Sequence, residues 1–164
     1  MIRAATRNDV PVLTELIVEL AQYERSPEHV EIDKVMLEHA LFGPEPSAFA
    51  RVAIVQDVVV GMAIYYRSFS TWTGRPGIYL EDLYVRPAHR GLGLGKALLA
   101  SLARTTVEEG GARLEWSVLD WNKPAIAFYE SIGALTTDDW TRYRLADSAL
   151  REFASFEDAA SRHG

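Results

Sequence analysis

The sequence contains no cysteine, which excludes disulfide bonds, thiolate metal sites and cysteine nucleophiles. It has no apolar run near the ~20 residues that a membrane span requires. Its first ten residues, MIRAATRNDV, carry no apolar signal region. We therefore expect a cytoplasmic protein that does not act at a membrane.

Positive charge is also scarce, because 17 Lys and Arg residues stand against 23 Asp and Glu residues, a formal net charge of −6. This balance argues against nucleic acid as a partner and suits a cationic small molecule better. The four histidines show no H-E-x-x-H or other metal-ligand spacing. A serine hydrolase elbow, G-x-S-x-G, is absent as well. We expect no metal site.

Hydrophobic patterning predicts helices interleaved with a mixed sheet, which is an α/β (α+β) domain. We assign residues 1–155 to one domain and residues 156–164 to a polar C-terminal tail. Gln56 and Asp57 are predicted to form a turn between two strands, and Asn122 to precede a helix entered at Pro124. Residues 70–77, STWTGRPG, are predicted to form a loop and residues 141–145, TRYRL, a last strand. The other elements are helices near residues 8–25, 31–43, 94–109, 124–132 and 147–154, and strands near residues 2–5, 49–55, 58–69, 78–86 and 112–119.

The stretch HRGLGLGKALL places three alternating glycines between a predicted strand and a predicted helix. A helix N-terminus offers unpaired N–H groups and partial positive charge, and glycines let the backbone approach phosphate oxygens closely. The spacing fits neither a P-loop nor the dinucleotide fingerprint G-x-G-x-x-G. It fits R-x-x-G-x-G, with Arg90, Gly93 and Gly95. The alternative is a glycine-rich turn that binds nothing.

This motif, within LEDLYVRPAHRGLGLGKALLASL, resembles the pyrophosphate loop of the GNAT superfamily of N-acetyltransferases. The downstream stretch WNKPAIAFYESIGA resembles the second signature of that family. More narrowly, LAQYE, IYLEDLYV and EWSVLDWNKPAIAFYESIGA are similar to the diamine, spermidine and spermine acetyltransferases and their thialysine-acetylating relatives. The resemblance extends from residue 2 to about residue 153. It implies a mostly antiparallel twisted sheet that splays at the acetyl-CoA site, and a homodimer.

The resemblance also implies acetyl-CoA as the acetyl donor. The pyrophosphate would lie on the glycine loop, the pantetheine along the preceding strand, and the second signature would touch the rest of the molecule. The implied contact residues are Leu83, Tyr84, Val85, Arg90, Gly91, Leu92, Gly93, Leu94, Gly95, Lys96, Asn122, Lys123, Pro124 and Ala125.

Two residues are candidates for catalysis. Adjacent strand residues point to opposite faces, so alternation groups Glu81 with Tyr79 and Leu83, among apolar and aromatic neighbours. The resemblance implies that Glu81 accepts the proton of the incoming amine and that Tyr129 protonates the coenzyme A thiolate. The alternative for Glu81 is a surface carboxylate, a description that suits Asp82 better. The alternative for Tyr129 is a core aromatic.

For the acceptor, the resemblance implies a channel lined by Tyr23, Glu24, Glu81, Glu115, Trp116 and Ser117. An exposed helix end is the alternative for the first two of these. Arg25 adds a positive charge beside Glu24, which argues against long polyamines and favours lysine-like or zwitterionic amines. Trp72 is expected to cap the amine pocket, because aromatic faces attract cations.

We therefore expect an enzyme that transfers acetyl from acetyl-CoA to a primary amine of a small cationic substrate by direct attack, without an acyl-enzyme. Two alternatives stay open. One is a protein or peptide N-acetyltransferase with the same chemistry. The other is a regulatory domain that binds acyl-CoA without catalysis.

Overall fold

The computed structural model describes residues 1–137 and 141–155. The chain divides into two compact units, Met1–Ser117 and Val118–Gly164. The polar tail predicted at residues 156–164 lies outside the described residues. The assignment of residues 1–155 to one domain stays a prediction.

The first unit contains a five-stranded sheet and three helices in an interleaved order. Along the chain these are β1 (Ile2–Ala4), α1 (Val10–Tyr23), α2 (Lys34–Phe42), β2 (Phe49–Val55), β3 (Val58–Ser70), β4 (Arg75–Val85), α3 (Leu94–Glu108) and β5 (Leu114–Trp116). The strands lie side by side in chain order, antiparallel except for the β4–β5 pair, which is parallel. The predicted mixed, mostly antiparallel sheet flanked by helices is confirmed.

The connections between strands explain one success and one error of the sequence interpretation. Gln56 and Asp57 both have positive φ, 47° and 62°, as a tight two-residue hairpin turn requires. The loop predicted at residues 70–77 is wrong, because Ser70 and residues 75–77 belong to paired strands. The local Gly and Pro signals there are outweighed by the continuous ladder between β3 and β4, which leaves a turn at residues 71–74.

The two faces of the sheet bury different helices. One face packs against α1 and α2 in a cluster that includes Leu13, Leu16, Met62 and Tyr84. On the other side α3 contacts β4, β3 and β2, and it buries Leu98, Leu99 and Leu102. Burying each such side chain contributes roughly 1.5–3 kcal/mol, so both faces stabilise the unit.

The start of α1 is fixed by a buried carboxylate. Asp9 accepts two hydrogen bonds from the Arg3 guanidinium, at 2.6 and 2.9 Å, and further ones from the N–H and hydroxyl of Thr6. The bond from Arg3 is the largest influence that lowers the Asp9 pKa, to about 2. This network ties β1 to the first turn of α1.

The second unit contains α4 (Lys123–Ser131) and α5 (Asp147–Ala154) within its described residues. Both helices were predicted from the sequence. The strand predicted at residues 141–145 is wrong, because these residues have no regular structure and take part in none of the strand pairs of the described chain. Strand propensity alone forms no strand without a paired neighbour.

Candidate active site

The sheet opens between β4 and β5. The two strands pair only where Ile78–Leu80 meet Leu114–Trp116, although β4 continues to Val85. Among the described residues, β3 is the one strand that pairs with residues 82–85. The other edge of this half of β4, which carries Leu83, Tyr84 and Val85, can therefore accept an extended ligand as an added strand.

The glycine loop follows this opening. Gly91 and Gly93 have φ of 79° and 72°, a region that favours glycine, and Gly93 is the N-cap of α3 with no side-chain capping bond. A Cβ placed at Gly91, Gly93 or Gly95 would meet nothing within 4 Å, so internal packing does not require these glycines. Leu92 and Lys96 are exposed. An open loop with free helix N–H groups fits a phosphate.

The Arg90 side chain lies against the protein at the base of this loop. Its Nε donates a hydrogen bond to the Val85 carbonyl oxygen at 3.0 Å. Its guanidinium carbon is 4.8 Å from the centre of the Tyr23 ring and 5.7 Å from that of Tyr84. The arginine thus joins three segments: the loop, the end of β4 and the end of α1.

A β-bulge changes the expected roles of the two adjacent carboxylates. Ile64 pairs with Asp82 and Tyr65 pairs with Leu80, so Glu81 is the extra residue on β4. The bulge interrupts the regular alternation of faces. Glu81 is exposed, so the expectation of apolar surroundings for it is wrong. Asp82 is partly buried on the face of Ile64, toward α1, so its description as a surface carboxylate is wrong too.

Two carboxylates act on a third at this point. Burial raises the pKa of Asp82, the negative charges of Glu81 and Glu24 add to the rise, and together they bring it to about 6. Burial also raises the pKa of Glu24, which follows the last residue of α1. Such a group of carboxylates attracts a cation and includes one member that changes protonation near neutral pH.

The β5 residues predicted to face the substrate lie beside Tyr79, which the sequence interpretation did not assign to the site. Glu115 pairs with Tyr79 in the ladder, and the Tyr79 hydroxyl is 2.8 Å from the Ser117 hydroxyl. Trp116 is half-buried. Glu115 forms an ion pair with Arg113 at 2.8 Å, so its charge is partly compensated. No local signal identifies Tyr79, because its place beside Ser117 depends on the parallel pairing of β4 with β5.

Trp72 does not lie beside the three carboxylates. It is 88% exposed in the turn between β3 and β4. Glu81 is six residues beyond the start of β4 at Arg75, a distance of roughly 20 Å along an extended strand. The expected cap on the amine pocket is therefore wrong.

The remaining predicted site residues belong to the second unit and are described within it. Asn122 is buried, and its side-chain oxygen caps α4 by accepting a hydrogen bond from the Ala125 N–H at 3.4 Å. Lys123 and Pro124 are exposed in the first turn. Tyr129 is half-buried in α4, its ring centre 5.3 Å from that of Phe128.

Across residues 1–137 and 141–155, no three His, Asp or Glu side chains gather as a metal site. No helix in these same residues has the length and apolar character needed to cross a bilayer.

Comparisons with known proteins extend these observations. The model of the acetyltransferase (GNAT) family matches residues 11–134. The chain is 39% identical to a thialysine N-epsilon-acetyltransferase of Bos taurus, covering 94% of this chain and 96% of that protein. It is 35% identical to an L-ornithine N5-acetyltransferase of Arabidopsis thaliana, over 66% of this chain and 47% of that protein. Among solved structures, an integron cassette protein from the mobile metagenome of V. cholerae aligns with a TM-score of 0.80 at 26% identity, covering 95% of this chain and 98% of that one.

Proposed function

Because the chain belongs to the GNAT acetyltransferase family and is an N-acetyltransferase, we propose that it transfers acetyl from acetyl-CoA directly to a primary amine of a small cationic substrate. The relatives that acetylate thialysine and ornithine support a lysine-like amine as the acceptor. The observation that carries the proposal is the group of carboxylates Glu24, Glu81 and Asp82 beside the opening of the sheet.

The acceptor must lose a proton before it can attack. A lysine-like amine with a pKa of ~10.4 is neutral in only about one molecule in 2,500 at pH 7. Glu24 and the exposed Glu81 attract the ammonium group, and Asp82, whose pKa is raised to about 6, holds the proton that the amine releases. The proposed proton acceptor is thus the pair of adjacent carboxylates rather than Glu81 alone.

The donor site follows from the open edge of β4 and the glycine loop. Acetyl-CoA supplies the acetyl group as a thioester. The backbone of Leu83, Tyr84 and Val85 offers strand-like hydrogen bonds to it, and the loop from Arg90 through Leu92 and Leu94 to Lys96 offers N–H groups and positive charge. On the family resemblance alone, the second signature, Asn122 to Ala125, is proposed as a further contact of the donor; within its own unit Lys123 is exposed.

Tyr129 is proposed as the proton donor to the departing sulfur on the strength of the family resemblance. Tyr129→Phe removes the hydroxyl and keeps the ring. We expect kcat to fall by ~10²-fold or more while acetyl-CoA affinity, measured by calorimetry, stays within twofold. Unchanged turnover would remove Tyr129 from the mechanism.

The first experiment measures coenzyme A release from acetyl-CoA with putrescine, spermidine, spermine, lysine, thialysine, ornithine and a short peptide. Turnover on a small amine supports the proposal. Turnover on the peptide alone would favour a peptide acetyltransferase. Acetyl-CoA binding without turnover on any acceptor would favour a regulatory acyl-CoA-binding domain.

The carboxylates are tested by the pH dependence of kcat/KM. We expect the wild type to lose activity below pH of about 6, as Asp82 becomes protonated. Asp82→Asn should lower kcat/KM and abolish this loss. Glu81→Gln should move the loss to lower pH, because the Glu81 charge raises the Asp82 pKa.

The family resemblance predicts a homodimer, which light scattering of the wild-type protein tests. The sequence predicts a cytoplasmic location, which cell fractionation tests.

A further inference from the structure

The end of α1 places an arginine where glycine is usual. The Ser26 N–H donates to the Ala21 carbonyl at 2.9 Å, and the Arg25 N–H donates to the Gln22 carbonyl at 3.1 Å. These two bonds define a Schellman motif, in which the residue after the cap adopts the left-handed conformation. That residue is Arg25, with φ of 62°. The conformation brings the Cβ of an L-residue close to the following carbonyl oxygen, so glycine would be the more stable choice.

Arg25 directly follows Glu24 in the group of three carboxylates. Consecutive Cα atoms are about 3.8 Å apart, so the exposed Arg25 side chain begins within one arginine length of an acceptor that Glu24 binds. The end of α1 is itself held beside β4, because the Arg90 guanidinium packs on Tyr23 while its Nε bonds the Val85 carbonyl. The first unit therefore presents an exposed cation at the rim of an acidic site, on a backbone that disfavours the residue carrying it.

We propose that Arg25 determines substrate specificity by binding the carboxylate of an amino acid whose side-chain amine lies at Glu24, Glu81 and Asp82. This inference rests on the proposed function. A guanidinium binds a carboxylate through two parallel hydrogen bonds, whereas it repels the second ammonium of a diamine. In an extended lysine or ornithine the reacting nitrogen and the carboxylate are separated by roughly 6–8 Å on standard bond lengths, which one arginine side chain can bridge from the rim.

The inference gives Arg25 a reason to occupy a strained position. A residue kept against backbone preference at a functional site indicates that its side chain has a role there. The Arg25 side chain also distinguishes two classes of acceptor that the three carboxylates alone would bind equally well. Amino acids with a side-chain amine are favoured over the diamines that differ from them only by loss of the carboxylate.

The test compares kcat/KM for lysine with cadaverine and for ornithine with putrescine. Arg25→Gly should lower each amino acid-to-diamine ratio about fivefold or more, and should raise the melting temperature because glycine suits the left-handed backbone. Arg25→Lys should keep most of the wild-type ratio. Gln56→Gly is the matched control: Gln56 also has positive φ, 47°, but lies in the β2–β3 turn, so it should raise the melting temperature and leave both ratios unchanged.

An unchanged ratio in a folded, active Arg25→Gly protein would overturn the inference and leave the proposed function intact. If that variant does not fold, Arg25→Asn gives the same readout, because asparagine tolerates the left-handed region and carries no charge. A wild-type protein that acetylates none of the four amines would instead refute the proposed function, and this inference with it.

Discussion

Replacing Asp82 by asparagine removes a partly buried charge while keeping the shape of the side chain. A carboxyl whose pKa rises from 3.8 in the unfolded chain to about 6 in the folded protein favours the protonated form on folding. At 1.36 kcal/mol per pH unit, the ionised form costs ~3 kcal/mol of folding free energy. The cost is absent below pH 3.8, grows as the pH rises toward 6 and is complete above that value.

We therefore expect Asp82→Asn to unfold with a free energy up to ~3 kcal/mol higher than the wild type at pH 8, and with nearly the same free energy at pH 3.5. Urea denaturation at half-unit steps from pH 3.5 to pH 8 measures this difference directly. Comparing two proteins at each pH cancels the titration of their shared groups. The gain in stability should accompany the loss of kcat/KM, as is common where a site stores unfavourable electrostatics.

Asp57→Asn serves as the control, because Asp57 is exposed in the β2–β3 turn and asparagine adopts its positive φ readily. It should change the free energy of unfolding by no more than about 0.5 kcal/mol, as is usual at a surface position. A stability difference between Asp82→Asn and the wild type that stays constant from pH 3.5 to pH 8 would refute the electrostatic reasoning.

Two further predictions concern the donor loop and the start of α1. Gly95→Ala should raise the free energy of unfolding by ~0.5–1 kcal/mol, because its Cβ meets nothing within 4 Å on a helical backbone, yet raise the KM for acetyl-CoA. Gly61→Ala, whose Cβ would lie 2.8 Å from the Tyr84 carbonyl oxygen, should lower the free energy of unfolding instead. A KM for acetyl-CoA that Gly95→Ala leaves unchanged would contradict the assignment of the loop. Asp9→Asn should lower the free energy of unfolding by ~2 kcal/mol at pH 7, since the Arg3 pair keeps the Asp9 pKa at about 2. That loss should shrink as the pH falls from 4 toward 2, and a urea titration that shows no such trend would exclude the pair as the cause.

Local signals carried most of the sequence interpretation. The glycine loop was identified because its residues, their spacing and their place between a strand and a helix are all readable along the chain. The Asn122 helix start and the turn at Gln56 and Asp57 are of the same kind, since one or two residues determine each backbone.

The errors concern features that depend on distant residues. Counting by twos along β4 assigned Glu81 and Asp82 to the wrong surroundings, because the bulge arises from the pairing of Ile64 and Tyr65 with that strand. Trp72 was placed at the pocket because aromatic faces attract cations, but the ladder between β3 and β4 puts it in a turn that precedes Arg75. The raised pKa of Asp82 depends in part on the charge of Glu24, which lies nearly sixty residues away along the chain.

The bulge at Glu81 also decides what a change in the length of this strand would cost. The pairs on either side of it, Ile64 with Asp82 and Tyr65 with Leu80, occupy consecutive positions of β3. A chain without Glu81 would therefore pair along the whole strand and keep Asp82 and Tyr84 on the side of α1, with the core cluster intact. The core places no demand on the extra residue, so such a deletion would be tolerated in folding and removed by selection for activity alone.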